Sequence, residues 1–249
     1  MLRVKTQVTA NKPLVHASCV PARASDLAEA EVLPGLTLKL PLPSGVPGVA
    51  GEAEAFKAQI ETLKTQRDVG AIISGMKCHA PHGAIQKRGC AALWSLAKEK
   101  PVKTAIGQAD GCSAILTAVQ THSADLDVLD QGLGALWSLA SDAENKKRIV
   151  QAGGLQALLS VMHAAAQDAF IHEKGLGILW NLGVDPDLKA EIANAGAIPP
   201  ILESVHSFST HTGVQEQAAG VIMVLAARPE NRSKIAKEGG VHTCTYMSV

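Results

Sequence analysis

Aromatic residues are scarce in this chain: only 3% of its 249 residues are Phe, Tyr or Trp, although 47% are apolar. A sandwich or barrel core leans on aromatic and β-branched side chains, so this balance favours helices packed through Ala, Leu and Ile. Charge of one sign is not in excess either, since 23 Lys+Arg stand against 23 Asp+Glu. A protein that coats nucleic acid needs a basic surplus, and overall there is none. Long hydrophobic runs are also missing. An uncharged stretch in the periodic part of the chain, Gly153 to Gln167, is amphipathic and too short to span a bilayer. The five cysteines, an odd number, show no framework spacing, which argues against a disulfide-stapled secreted domain. No Gly-rich phosphate loop, no Ser/His/Asp order and no His-Glu helix motif is found. The chain is therefore expected to be no enzyme and to carry no cofactor.

What is present is a repeat. Ala92-Leu93-Trp94-Ser95-Leu96-Ala97 returns as Ala135-Leu136-Trp137-Ser138-Leu139-Ala140, then as Ile178-Leu179-Trp180-Asn181-Leu182-Gly183, and again as Val221-Ile222-Met223-Val224-Leu225-Ala226, each copy 43 residues after the last. A fixed period of this length predicts a solenoid, in which a unit buries its apolar face by stacking on its neighbours. The register extends past the phrase. Ile106, Ile149, Ile192 and Ile235 share one position, as do Ile72, Ile115, Leu158 and Ile201, and so do Ile85, Val128, Ile171 and Val214. Each unit reads as three helices. A short first helix leads to a turn at Asp110-Gly111, Gly153-Gly154, Gly196-Ala197 or Gly239-Gly240, where glycine supplies conformational freedom. A second helix carries Ala157-Leu158-Leu159 and its counterparts, and a third ends in the Trp phrase. Pro186 and Pro229 suit the first turn of a first helix. Cys90, Cys112 and Cys244 fall on apolar positions of the repeat and read as small core residues in a reducing compartment.

The three-helix unit, with Val214-Gln215-Glu216-Gln217-Ala218-Ala219 as its nearest verbatim stretch, resembles the armadillo repeat over residues 69–249. The two-helix HEAT repeat is the alternative, without the Gly turn after a short first helix. The armadillo resemblance implies an all-α, right-handed α-solenoid of about four units, whose third helices line a concave groove that holds extended peptides or partner helices. The expected divisions are a partial unit 69–97, units 98–140, 141–183 and 184–226, and an incomplete unit 227–249.

Outside the repeats the rules change. Residues 1–51 read as a disordered tail and a Pro/Gly linker, with Pro34, Pro41, Pro43 and Pro47 among Gly35, Gly45, Gly48 and Gly51. Arg3, Lys5, Lys12 and Arg23 precede the first acid, Asp26, so an organellar transit peptide is the alternative for this segment. There is no apolar region of a secretory signal, and Leu2 stands where N-myristoylation needs Gly. A cytoplasmic location is expected, with a nuclear one as an alternative. Residues 52–68, with Phe56, Ile60 and Leu63 on one face, predict a helix that caps the first unit. At the other end the pattern breaks after Val241, with Thr245 where Leu116, Leu159 and Leu202 stand. The chain thus reads as ending inside a unit, as a fragment, a truncated gene model or a splice form would.

The candidate partner-binding residues lie on the third helices. Trp94 sits roughly 155° from the centre of its helix's apolar face, so Trp94, Trp137 and Trp180 are not simple core residues. Either each indole packs across the small Ala or Gly of the neighbouring third helix (Ala91, Gly134, Gly177 and Gly220 hold that position), or the three form an aromatic ladder that anchors a partner. Ser95, Ser138 and Asn181 adjoin them. Armadillo proteins that bind nuclear-localisation signals carry Trp and Asn at two of these positions, and here only Asn181 matches. Charge changes sign along the same face: Lys87 and Arg88, then Asp125, Asp127 and Asp130, then Glu173 with Lys174, then Glu216. A partner of matching charge order would be registered by it, while a solvated face without a ligand is the alternative. Cys78, His79 and His82 resemble a zinc site but lack a fourth ligand, so an exposed turn is expected and no metal. Three readings of function follow: a non-catalytic adaptor binding a protein segment, a nuclear-import receptor, or the substrate-recognition part of a larger protein such as a ubiquitin ligase.

Overall fold

In a computed structural model the 43-residue period becomes a period of helices. The structure describes residues 49–240, which fall within one compact unit, Pro47–Val249. The tail and linker up to residue 48, and the broken pattern of 241–249 with Cys244, lie outside the described residues. These contain thirteen helices and no strand: α1 (Val49–Gln66), α2 (Val69–Cys78), α3 (Gly83–Leu96), α4 (Lys100–Gln108), α5 (Gly111–Thr121), α6 (Leu126–Leu139), α7 (Ala143–Gln151), α8 (Gly154–Ala164), α9 (Ala169–Gly183), α10 (Leu188–Asn194), α11 (Ile198–Ser207), α12 (Thr212–Ala226) and α13 (Pro229–Lys237). The third helices α3, α6, α9 and α12 begin at Gly83, Leu126, Ala169 and Thr212, 43 residues apart.

Local chemistry sets these boundaries. Asp68, Asp125, Asp142 and Asp168 accept hydrogen bonds from backbone N–H groups in the first turns of α2, α6, α7 and α9. His211 does the same for α12 through Nδ1. At the turn into α8, Gly153 has φ +79°, and a Cβ on Gly154 would stand 2.5 Å from the Ile149 carbonyl oxygen. Both glycines are needed there, the first for its dihedral and the second for the close approach. The equivalent turn before α5 puts Asp110 at φ 63°, a conformation that aspartate tolerates better than most residues. Pro229 opens α13 as expected, and Pro101 and Pro199 sit in the first turns of α4 and α11. Pro186 does not occupy a first turn. It lies in the turn before α10, where the Asp185 carboxylate accepts from the Asp187 N–H, and the helix begins only at Leu188.

Packing follows the repeat. Each third helix packs on the next, α3 on α6, α6 on α9 and α9 on α12, and the second helices α2, α5, α8 and α11 pack on one another in succession as a second row. All the positions read as core from the period, from Ile72 to Ile235, are buried. Cys90 and Cys112 are buried with them. The expected capping helix is α1, which begins at Val49 and ends at Gln66, before Arg67 takes φ 58°. It buries Ala53, Ile60 and Leu63 and packs on α2 and α3. Phe56 rests so closely on Gly75 that a Cβ there would come within 1.8 Å of the ring.

Candidate functional site

The third-helix row carries the indoles, and its glycines decide how they lie. A Cβ on Gly134 would meet the Trp94 ring at 2.8 Å, one on Gly177 would meet Trp137 at 2.4 Å, and one on Gly220 would meet Trp180 at 2.3 Å. Each indole therefore lies flat across the glycine of the following helix, in a space no side chain could share. The packing alternative is present at all three steps. None of the indoles is fully covered; all three are half-buried.

The polar neighbours bond between helices. Asn181 donates from Nδ2 to the Trp137 carbonyl at 3.2 Å, and Ser138 donates from Oγ to the Ala97 carbonyl at 3.1 Å. Both tie a third helix to the preceding one. Ser95 is exposed. Four of the eight charges whose alternation suggests a register for a partner pair with one another. Lys87 of α3 reaches Asp127 of α6 at 2.8 Å, and both are largely exposed, so the pair is worth about 1 kcal/mol or less. Lys174 of α9 bonds the Asp130 carboxylate of α6, donates to the Asp130 carbonyl at 3.0 Å, and stands 4.9 Å from the centre of the Trp94 ring. One ammonium thus connects three consecutive third helices, with a cation–π contact at its far end. Asp125 caps α6. Glu173 lies 3.9 Å from the His211 ring, Arg88 donates to the Lys57 carbonyl at 3.4 Å, and Glu216 is exposed.

Apolar side chains are also exposed around this row: Leu126, Phe170, Val184 and Met223, the last 65% exposed. Met223 holds the position of the three tryptophans, and no described helix follows α12 in the row.

Burial pushes the Cys90 thiol up to about 12, and burial likewise raises Cys112 to about 12, so neither is a nucleophile at neutral pH. The His79 ring stacks on Phe56 with centroids 5.5 Å apart and lies 6.0 Å from the His82 ring. Among the described residues no group of three or more His, Cys, Asp or Glu is placed to hold a metal ion. No helix of the described residues is long and apolar enough to cross a membrane.

Several buried polar side chains escaped the sequence reading. Asn145, fully buried, donates from Nδ2 to the Lys103 carbonyl, and Asn231, two periods later, makes the same bond to the Lys189 carbonyl. Gln86 and Gln215 each donate to two carbonyls at the end of their own second helix. Recurrence of Asn145 and Asn231 exactly two periods apart was the available signal.

No family model matches the chain, and no curated protein does. Among solved structures it is similar to two engineered proteins determined by the Northeast Structural Genomics Consortium. One superposes with a TM-score of 0.63 at 25% identity, covering 77% of each chain. The other gives 0.65 at 22% identity, covering 80% of this chain and half of that one. These likenesses show an all-helical, repeat-like fold.

Proposed function

We propose that the chain is a non-catalytic adaptor of armadillo type, which binds an extended or helical segment of a protein partner along the face formed by α3, α6, α9 and α12. The observation that carries this reading is the row of three half-buried indoles, spaced one per unit, each held against a glycine of the following third helix. An aromatic side chain held rigid in the unbound state loses little conformational entropy on binding, which is why Trp dominates interface hot spots. The exposed apolar residues Leu126, Phe170, Val184 and Met223 border the same row and extend the surface a partner could cover. The resemblance of the 43-residue unit to armadillo repeats supplies the expectation of a right-handed superhelix with this row as its groove.

A partner is chosen by shape and apolar contact more than by charge in this reading, because Lys87, Asp127, Lys174 and Asp130 already neutralise one another. Nothing in the contacts favours a receptor for basic signals, since the Asn181 amide is engaged by the Trp137 carbonyl. The test is affinity capture of partners from the native cell, with the wild type and with Trp137→Ala/Asn181→Ala, whose helix content is checked by circular dichroism. Partners lost in the folded variant support the face as the site. An identical partner set contradicts it.

A further inference from the structure

One position of the repeat holds Gln86, Leu129, His172 and Gln215 in successive units. The glutamines do one job. Gln86 donates from Nε2 to the carbonyls of Met76 and His79, both at 2.9 Å, and Gln215 donates to those of Val205 and Phe208 at 2.9 and 3.0 Å. Each fastens a third helix to the end of its own second helix. His172 stands where the corresponding carbonyls are those of Met162 and Ala165, and both act on its ring. Yet its recorded bond goes elsewhere, from Nδ1 to Ser204 Oγ of α11 at 2.8 Å.

The protons can be followed. Ser204 has a single hydroxyl hydrogen, which it donates to the Pro200 carbonyl at 2.7 Å. Its oxygen therefore accepts from Nδ1–H, and a neutral imidazole then keeps only a lone pair at Nε2. That atom is buried and has no hydrogen-bond partner, and the ring is 7% exposed. A lone pair cannot bond to a carbonyl oxygen, so a neutral ring of this tautomer offers the Met162 and Ala165 carbonyls no donor at Nε2. His172 borders a cavity of about 50 Å³, lined also by Met162, His163, Ala166, Pro200, Glu203 and Ser207. The charged and titratable groups facing it are His163 from α8, Asp168 at the start of α9, and Glu203 from α11.

We propose that His172 is a proton-operated latch at the junction of α8, α9 and α11. Neutral, its one hydrogen bond ties α9 to α11 through Ser204, beside the Phe208 ring at the end of α11, whose centroid lies 4.8 Å from its own. With a proton on Nε2 it gains a donor towards the Met162 and Ala165 carbonyls, and so makes the clamp that glutamine makes permanently in two other units. Burial opposes that proton and lowers the ring's pKa from its ordinary value, while the Met162 carbonyl, Glu203, Asp168 and the Ala165 carbonyl favour it. A folded-state pKa below the unfolded one means stability that is fully present above the unfolded histidine range. It is lost as pH falls through that range to the folded value. Because α9 also carries Lys174, Trp180 and Asn181, the latch sits under the third-helix row itself.

Nitrogen-resolved NMR of the wild-type imidazole ring from about pH 7.5 to about pH 5 tests this, together with the melting temperature of His172→Gln over the same range. At the upper pH the hydrogen is expected on Nδ1, with Nε2 acquiring one only below the ordinary histidine range. His172→Gln, with a clamp that does not titrate, is expected to lose less melting temperature on acidification than the wild type. A hydrogen on Nε2 at the upper pH overturns the proposal, as does an equal fall in melting temperature for both proteins.

Discussion

Trp137 and Met223 occupy the same position in units two periods apart, and they meet opposite surroundings. The indole of Trp137 lies on Gly177 so closely that a Cβ would stand 2.4 Å from it, whereas Met223 is 65% exposed with no following third helix among the described residues. The two helices are otherwise alike: Leu136 and Ile222, Leu139 and Leu225 are all buried. What a residue contributes in a repeat protein is thus set by whether the next unit is there to receive it. The small residue three places earlier does not differ in this way, because a preceding unit is present in both cases. Gly134 and Gly220 each receive an indole, and both are closed to any larger side chain.

The largest effect is expected at the centre of the row. Leu136→Ala, at a site 2% exposed and enclosed by units on both sides, should cost about 2–5 kcal/mol of stability, read from denaturant unfolding. Gly177→Ala should cost about 1–3 kcal/mol, because the indole of Trp137 must be displaced to admit a methyl group. A comparable loss of about 1–3 kcal/mol is expected for Asn145→Ala, which leaves the Lys103 carbonyl without its buried donor. Met223→Ala marks the other end of the scale. It should change stability by less than about 0.5 kcal/mol, and a large loss there would mean that something covers α12. Thiol chemistry sharpens the same contrast without a mutation. Cys90 and Cys112, with thiols near 12, should resist alkylation at mildly alkaline pH until the protein is unfolded, as peptide mass spectrometry would show.

Much of this was legible in the chain because the repeat states each rule several times. Ile106, Ile149, Ile192 and Ile235 announce one buried position, and the spacing of Trp94, Trp137 and Trp180 against Gly134, Gly177 and Gly220 carried the indole-on-glycine contact as one of two alternatives. The charges were harder to read. Lys87 meets Asp127 and Lys174 meets Asp130 only because flexible side chains lean across neighbouring helices, and no local pattern fixes how far they reach. Pro186 shows a second limit: a proline suits both a first turn and the turn before it, and the Asp185 carboxylate bonding the Asp187 N–H decides for the turn. His172 was invisible for a third reason. Its role depends on Ser204, 32 residues away and on the following unit, a partner that the period does not name.

The account rests on the claim that each third helix is locked to the next by an indole lying on a glycine, and a double-mutant cycle on Trp137 and Gly177 tests it most directly. If the contact is what makes the position intolerant, Gly177→Ala will destabilise the wild type by about 1–3 kcal/mol. It will then cost at least about 1 kcal/mol less once Trp137→Ala has removed the ring. Effects that add to within about 0.5 kcal/mol would contradict the claim, because residues in contact couple and residues apart do not.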